Sequence, residues 1–213
     1  MRPLLIIACG ALAREIGWIT NANGFADIDL TCLPAALHNR PDRIPDEMRR
    51  KIDDNQGKYE RIVALYADCG TGGLLDDVLR EKNVERIGGD HCYAFYAGED
   101  VFEAMQEDEI GTFYLTDYLV RFFDSLIVKG LGLDRHPELR DAYFGNYKRL
   151  TYLAQTEDTA LQAQARKAAA TLGLEYVYRF TGYGGLGDFI VDQARLNHLK
   201  GSDDGASDHR ILA

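Results

Sequence analysis

The chain has 213 residues, a length that suits one large domain at roughly 150 residues per domain. Hydrophobic residues make up 46% of the chain and charged residues 27%, which excludes disordered, fibrous and collagen-like classes. Because 24 Lys and Arg face 34 Asp and Glu, the net charge is −10, and such a field repels nucleic acid and anionic membranes. We therefore expect a small-molecule substrate, with no nucleic acid and no membrane among the partners.

The lengths of the apolar runs bear on the cellular compartment. None approaches the ~20 residues needed to span a bilayer, and the run at residues 4–8 is too short for the core of a signal peptide. We therefore expect a cytoplasmic protein. In that compartment the four cysteines favour buried thiols, metal ligands or redox chemistry over a disulfide framework.

Strand-like and helix-like segments alternate along the chain. The apolar patterns predict strands at residues 4–8, 28–32, 61–66, 84–87, 111–115, 150–154 and 176–178, and helices at residues 11–21, 46–54, 74–81, 119–126 and 158–172. This alternation predicts an α/β fold, an open and mostly parallel Rossmann-like sheet with helices on both faces and a functional edge at the carboxyl ends of the strands. We expect a single α/β domain over residues 1–200 and a flexible polar tail over 201–213.

Three cysteines follow predicted strands, each in a turn that contains glycine. Cys9, Cys69 and Cys92 should therefore lie at one edge of the sheet, where ligands of open α/β sheets bind. Three thiolates together need a cation, and the pattern fits either Zn²⁺ or a [4Fe-4S] cluster with one open position, or a zinc site closed by His38 or His91. Since there is no CxxC pair, simple burial of these cysteines as small hydrophobic residues is the competing interpretation.

Candidate proton-transfer groups lie beside these cysteines. His38 is in a polar loop after the second predicted strand, His91 adjoins Cys92, and Asp68 precedes Cys69. Each can hold or move a proton at the same edge of the sheet. The competing interpretations are structural loop histidines and an aspartate that caps a helix.

Glycine-rich turns are the candidate binding elements for a cofactor or an anion. Gly10 follows the first predicted strand, and Gly70, Thr71 and Gly72 follow the third. Backbone amides in such a turn, at the start of a helix, are suited to hold a carboxylate or a phosphate. This turn is not a P-loop, because no Gly-Lys-Ser/Thr follows it.

A set of ordered motifs carries a resemblance to a known family. The motifs are Ala8-Cys9-Gly10-Ala11-Leu12, Leu37-His38-Asn39-Arg40-Pro41, Tyr66-Ala67-Asp68-Cys69-Gly70-Thr71-Gly72, His91-Cys92-Tyr93, Gly111-Thr112-Phe113-Tyr114-Leu115-Thr116-Asp117 and Gly145-Asn146-Tyr147. From about residue 4 to residue 190, the chain resembles an uncharacterised family catalogued as a domain of unknown function, number 1638. The resemblance implies a place in methyl-group metabolism, because members tend to be encoded near corrinoid-dependent methyltransferases.

Two functions are consistent with these observations. The first is a metal-binding protein of one-carbon metabolism, a metal-dependent methyltransferase or its accessory, with Cys9, Cys69 and Cys92 as metal ligands. The alternative is a non-catalytic module that binds a corrinoid or another small molecule and docks on a corrinoid protein or a methyltransferase. A purely structural zinc site is a third interpretation.

Overall fold

The first strand, β1 (Leu4–Cys9), lies inside a four-stranded parallel sheet, and all six of its residues are buried. The computed structural model describes residues 4–203. In it β1 pairs with β2 (Ile28–Leu33) on one side and with β3 (Arg61–Leu65) on the other, and β3 pairs with the short β4 (Glu85–Arg86). The strand order is β2-β1-β3-β4.

Three helices connect these strands. They are α1 (Ala13–Ala22), α2 (Ile44–Asn55) and α3 (Leu74–Lys82). Helix α1 buries Ile16 and Ile19 and ends at Ala22, one residue beyond the end of the predicted helix at residues 11–21. Because Gly24 has a positive φ of 67°, the chain can turn there toward β2 without a steric penalty.

A second parallel sheet forms from the later strands. Its order is β5-β6-β7, with β5 at Thr112–Leu115, β6 at Arg149–Ala154 and β7 at Glu175–Phe180. The remaining helices are α4 (Cys92–Ala97), α5 (Glu99–Asp108), α6 (Asp117–Arg121), α7 (Leu139–Phe144), α8 (Thr159–Leu172) and α9 (Gly184–Asp203). Helix α8 begins as predicted, because the Asp158 carboxylate accepts hydrogen bonds from the amides of Ala160 and Leu161.

The described chain divides into two compact units. Unit 1 holds the described residues up to Asp90 and from Leu186 onward, and unit 2 is His91–Gly185. The predicted α/β class with parallel strands is confirmed. However, the strands form two sheets, where one open sheet was expected, because the alternation of strand and helix is a local signal that does not specify which strands pair.

The predicted single domain and the predicted polar tail have different outcomes. The single domain over residues 1–200 stays a prediction. Of the expected tail, residues 201–203 continue α9, and residues 204–213 lie outside the described residues. Within residues 4–203, no helix has the length and apolar character needed to cross a membrane.

Candidate functional site

The candidate site lies where β1 and β3 run side by side in unit 1. The strand that follows β1 in sequence pairs on one side of it, and the strand that follows β3 lies on the other side. The loops after these two strands therefore leave the sheet in opposite directions. In parallel α/β sheets such a switch point opens a crevice at the carboxyl ends of the strands, where ligands bind. Cys9 ends β1, and Cys69 follows β3.

Cys69 adopts a backbone conformation that non-glycine residues rarely use. Its φ is 50°, in the left-handed region, and it lies in the turn between β3 and α3. A residue held there costs of order 1–3 kcal/mol, and such residues cluster at functional sites. The side chain is buried, with 8% of its surface exposed. The turn therefore holds one particular thiol at the switch point despite a local energetic cost.

The carboxylate of Asp68 organises this turn. Its oxygens accept hydrogen bonds from the Thr71 hydroxyl at 2.5 Å and from the amides of Gly72 and Gly73 at 3.1 and 3.0 Å, and the Gly70 amide donates to it as well. Burial alone would raise the pKa of Asp68, but these hydrogen bonds outweigh it and hold the pKa below its usual value. Asp68 therefore serves as an ionised acceptor inside the turn.

The same hydrogen bonds bear on the expected anion cradle. The amides of Gly70 and Gly72 already face the Asp68 carboxylate, and the Thr71 amide donates to the Asp68 carbonyl at 3.1 Å. An external anion would have to displace a carboxylate of the protein. The binding role of Gly70, Thr71 and Gly72 stays a prediction.

We expect Asp68→Asn to lower the free energy of unfolding by about 1–2 kcal/mol, as loss of a capping carboxylate does. Because the folded pKa lies below the unfolded value of about 3.9, the contribution of Asp68 is complete above that value and is lost as the pH falls through the folded pKa. Urea unfolding at several pH values should show the difference from the unsubstituted protein shrinking only in acid. The exposed Asp54 provides the control substitution Asp54→Asn, and a difference that does not vary with pH would contradict the assignment.

The loop after β4 holds the other side of the Cys69 turn. The amides of Asp68 and Cys69 donate to the carbonyls of Gly89 and Asp90 at 3.2 and 3.0 Å. The Arg86 guanidinium fixes this loop, because it donates to the Gly89 carbonyl at 3.2 Å and forms two hydrogen bonds with Asp76 on α3, at 2.5 and 3.0 Å. Cys69 is thus positioned from both sides.

The ring of His38 is a hydrogen-bond partner of the Cys69 sulfur. His38 lies in a 3-10 turn after β2 (Ala35–Asn39), and its ring forms a hydrogen bond with the Cys69 sulfur. This hydrogen bond and the charge of the sulfur raise the pKa of His38 above its usual value, although partial burial opposes the shift. An imidazolium beside a sulfur favours the thiolate form. The structure therefore brings together His38 and Cys69, two of the residues that the sequence singled out.

Cys9 lies near Cys69, but its surroundings favour the protonated thiol. Burial raises the pKa of its thiol to about 11, against weaker hydrogen bonds from the Ala11 amide and the Tyr66 hydroxyl, and a charge on Cys69 raises it further. Two neighbouring sulfurs do not both ionise readily, because like charges repel. With a pKa of about 11, Cys9 stays a thiol at neutral pH.

Gly10 has a structural reason to be glycine. A Cβ atom at this position would lie 3.0 Å from the Leu33 carbonyl oxygen and 3.3 Å from the Ala35 amide. The turn after β1 can therefore approach the loop that carries His38 only without a side chain. Its role in binding a cofactor stays a prediction.

His91 and Cys92 belong to unit 2. His91 is extended at the N-terminal cap of α4, and its ring lies 6.0 and 6.3 Å from those of Tyr93 and Phe102. Cys92 is the first residue of α4, so the expectation that it lies in a glycine-containing turn directly after a strand is wrong. The short apolar stretch Cys92–Ala97 forms a helix, which the glycines before it concealed.

The arrangement of the described side chains can be compared with what the predicted metal site requires. In the part of the chain that the structure describes, no group of three or more His, Cys, Asp or Glu side chains is arranged to hold a metal ion, and the Cys9 sulfur already accepts two hydrogen bonds. The described side chains as arranged do not fit Zn²⁺ or a [4Fe-4S] cluster. Zn²⁺, a [4Fe-4S] cluster and a corrinoid therefore stay predictions.

Sequence reasoning missed two residues that shape this site. Tyr66 donates a hydrogen bond to the Cys9 sulfur, and Arg86 fixes the loop against Cys69. Tyr66 ends an apolar run and was counted with the strand. Arg86 lies in a segment so short that its pairing with Asp76 has no sequence signature.

These features define the class of protein as a parallel α/β protein with a histidine-paired cysteine at the switch point of its first sheet. The chain belongs to the family described as Protein of unknown function (DUF1638), whose model matches residues 32–190. The resemblance drawn from the motifs is thereby confirmed, and the matched segment includes His38, Cys69 and Cys92. A search of curated proteins finds no match.

Proposed function

We propose that the protein is a small-molecule enzyme in which the Cys69 thiolate takes up an alkyl group from an electrophilic donor. The observation that carries this proposal is the hydrogen bond between His38 and the Cys69 sulfur, at a left-handed residue beside the switch point. The thiolate is the nucleophilic form of cysteine, and an adjacent imidazolium is the usual way to populate it at neutral pH.

The proposed step is a substitution at carbon. The Cys69 sulfur donates its electron pair to the carbon, a sulfur–carbon bond forms, and the bond from that carbon to its leaving group breaks. The leaving group departs with the bonding electron pair, and the His38 N–H is the proton source for it. A second nucleophile then removes the alkyl group from the sulfur, which regenerates the thiolate.

The hydrogen bonding of the turn favours alkyl transfer over acyl transfer. Acyl transfer creates an oxyanion that requires free N–H donors. From Asp68 to Gly73 the backbone amides already donate within the protein, to carbonyls or to the Asp68 carboxylate. Substitution at a saturated carbon creates no oxyanion, so it needs no such donors.

The identity of the alkyl group is the finer part of the proposal. Methyl is the group that the expected link with one-carbon metabolism suggests, and a corrinoid protein or a methyltransferase is the corresponding partner. A metal-dependent methyltransferase and a non-catalytic binding module are the competing functions. They differ in whether Cys69 becomes alkylated and in whether the protein holds a metal.

The experiment measures alkylation of each cysteine as a function of pH. Iodoacetamide and methyl iodide are the probes, and mass spectrometry of the peptides gives a rate for Cys69. We expect Cys69 to react fastest at neutral pH, and His38→Gln to slow it by about tenfold or more, because an ordinary thiol is only a few per cent thiolate there. Cys9, with a pKa of about 11, is the internal control, and His136→Gln is the matched control variant.

Three results would overturn the proposal. If Cys69 is alkylated slowly, and at the same rate in His38→Gln, only the non-catalytic binding module remains as a function. A rapid burst of p-nitrophenol from p-nitrophenyl acetate would show that the site performs acyl transfer and not alkyl transfer. Zinc or iron in the purified protein that is lost in Cys69→Ser would make Cys69 a metal ligand.

A further inference from the structure

Strand β7 is the last strand of its sheet, whose order is β5-β6-β7. The amides of Glu175 and Thr181, at its two ends, donate hydrogen bonds toward β6. Because backbone groups alternate in direction along a strand, the N–H and C=O groups of Tyr176, Tyr178 and Phe180 point away from β6. In the part of the chain that the structure describes, none of these groups forms a backbone hydrogen bond. The outer edge of β7 is therefore open for pairing.

An open edge of this length is rarely left unprotected. Natural proteins blunt exposed edges with proline, with lysine or with a very short strand, because an open edge invites another chain. Strand β7 runs for six residues, Glu175–Phe180, without a proline or a lysine, and Phe180 at its end is 52% exposed. The edge therefore has the features of a surface that another strand covers.

The sequence of β7 is complementary to itself in one antiparallel register. A two-fold axis at Val177 places Tyr176 opposite the partner's Tyr178, so that their outward backbone groups form hydrogen-bonded pairs. The same axis places Glu175 opposite the partner's Arg179, and opposite charges across two strands stabilise the pairing. An axis at Tyr176 or Tyr178 leaves both charges unpaired, and one at Glu175 or Arg179 opposes like charges. Only the register centred on Val177 pairs opposite charges.

Both charged side chains are available for this pairing. Arg179 is exposed and forms no salt bridge within residues 4–203. The Glu175 side chain is 69% exposed and lies 3.8 Å from Arg149, whose closer contact is with Asp108 at 2.8 Å. Glu175 can therefore accept a second guanidinium. Exposed ion pairs contribute little affinity, so we expect them to set the register, while the backbone hydrogen bonds and the covered tyrosine surface hold the copies together.

From the open edge and its self-complementary charges, we propose that two copies of the chain pair β7 with β7, antiparallel about Val177. The pairing joins two three-stranded sheets into one continuous sheet. A two-fold contact uses the same surface on both copies and is then complete, so the assembly stops at two. Because a single short strand from each copy forms the contact, the dimer belongs to the weak and reversible class.

The test is sedimentation of the full chain over a range of concentrations, which should show a monomer in equilibrium with a dimer. Arg179→Glu and Glu175→Arg each place like charges opposite each other and should weaken the dimer about tenfold or more. A mixture of the two variants should associate again, because the heterodimer has opposite charges at both contacts. Arg195→Glu on α9, whose side chain is 73% exposed, is the matched control and should dimerise as the original chain does. Circular dichroism verifies that each variant is folded.

Hydrogen exchange of single amides tests the register. The amides of Tyr176 and Tyr178 should exchange more slowly as the protein concentration rises, whereas that of Val177, which points toward β6, should not change. A monomer at every concentration, a dimer that the charge reversals leave intact, or growth beyond two copies would overturn the proposal. So would exchange at Tyr176 and Tyr178 that is independent of concentration.

Discussion

Asp117→Ala should lower the free energy of unfolding by about 3–5 kcal/mol, because it leaves several buried donors without an acceptor. Asp117 is 2% exposed and lies just after β5. Its carboxylate accepts from the Tyr152 hydroxyl at 2.7 Å, the Gln155 amide at 3.0 Å and the Thr156 hydroxyl at 2.5 Å. It thereby joins the carboxyl ends of β5 and β6.

Denaturant unfolding with a double-mutant cycle measures this effect. Tyr152→Phe alone should cost about 1 kcal/mol, and much less in the Asp117→Ala background, where its acceptor is already gone. Burial and the adjacent carboxylate also raise the pKa of Tyr152, so it is a neutral donor at any pH of the experiment. Asp124→Ala is the surface control, expected within about 0.5 kcal/mol. Additive effects of the two substitutions would contradict the network.

Gly184→Ala is the second substitution with a large expected effect, about 2–4 kcal/mol of destabilisation. Its φ is 42°, and a Cβ atom there would lie 2.1 Å from the Tyr96 carbonyl oxygen and 3.2 Å from that of Phe95. These are backbone atoms of α4, which cannot rotate away as a side chain can. The start of α9 must therefore move or α4 must unwind.

A matched glycine exists in α1. A Cβ atom at Gly17 would meet nothing within 4 Å, and the residue lies inside a helix, so Gly17→Ala should stabilise the protein by about 0.5–1 kcal/mol. Thermal and urea unfolding of both variants compare the same chemical change in two environments. Destabilisation of similar size at both positions would show that the close approach of Gly184 to α4 is not the cause.

The sulfurs of Cys9 and Cys69, both in unit 1, show how one fold can separate reactivity from packing. Cys69 has His38 beside it, whereas Cys9 is buried with a pKa of about 11. The proposed nucleophile and its inert neighbour therefore differ through their surroundings and not through their chemistry.

Much of the fold was accessible from local signals. The apolar run at residues 4–8 predicted β1, and Asp158 marked the start of α8 where the structure has it. Helices α4, α5, α7 and α9 were missed, because they are short or because acidic or glycine-rich stretches dilute or precede their apolar residues. The division into two sheets was also missed, since strand pairing depends on contacts between residues far apart in the chain.

The parallel α/β class could be predicted from the sequence, and so could the candidacy of His38 and Cys69 for one site, because residues in loops after apolar strands collect at one edge of a sheet. The hydrogen bond between His38 and Cys69, the protonated state of Cys9 and the hydrogen bonds of Asp68 within its own turn could not be predicted from the sequence. Protonation and hydrogen bonding depend on burial and on neighbours brought from other strands. Such neighbours exist only once the chain has folded.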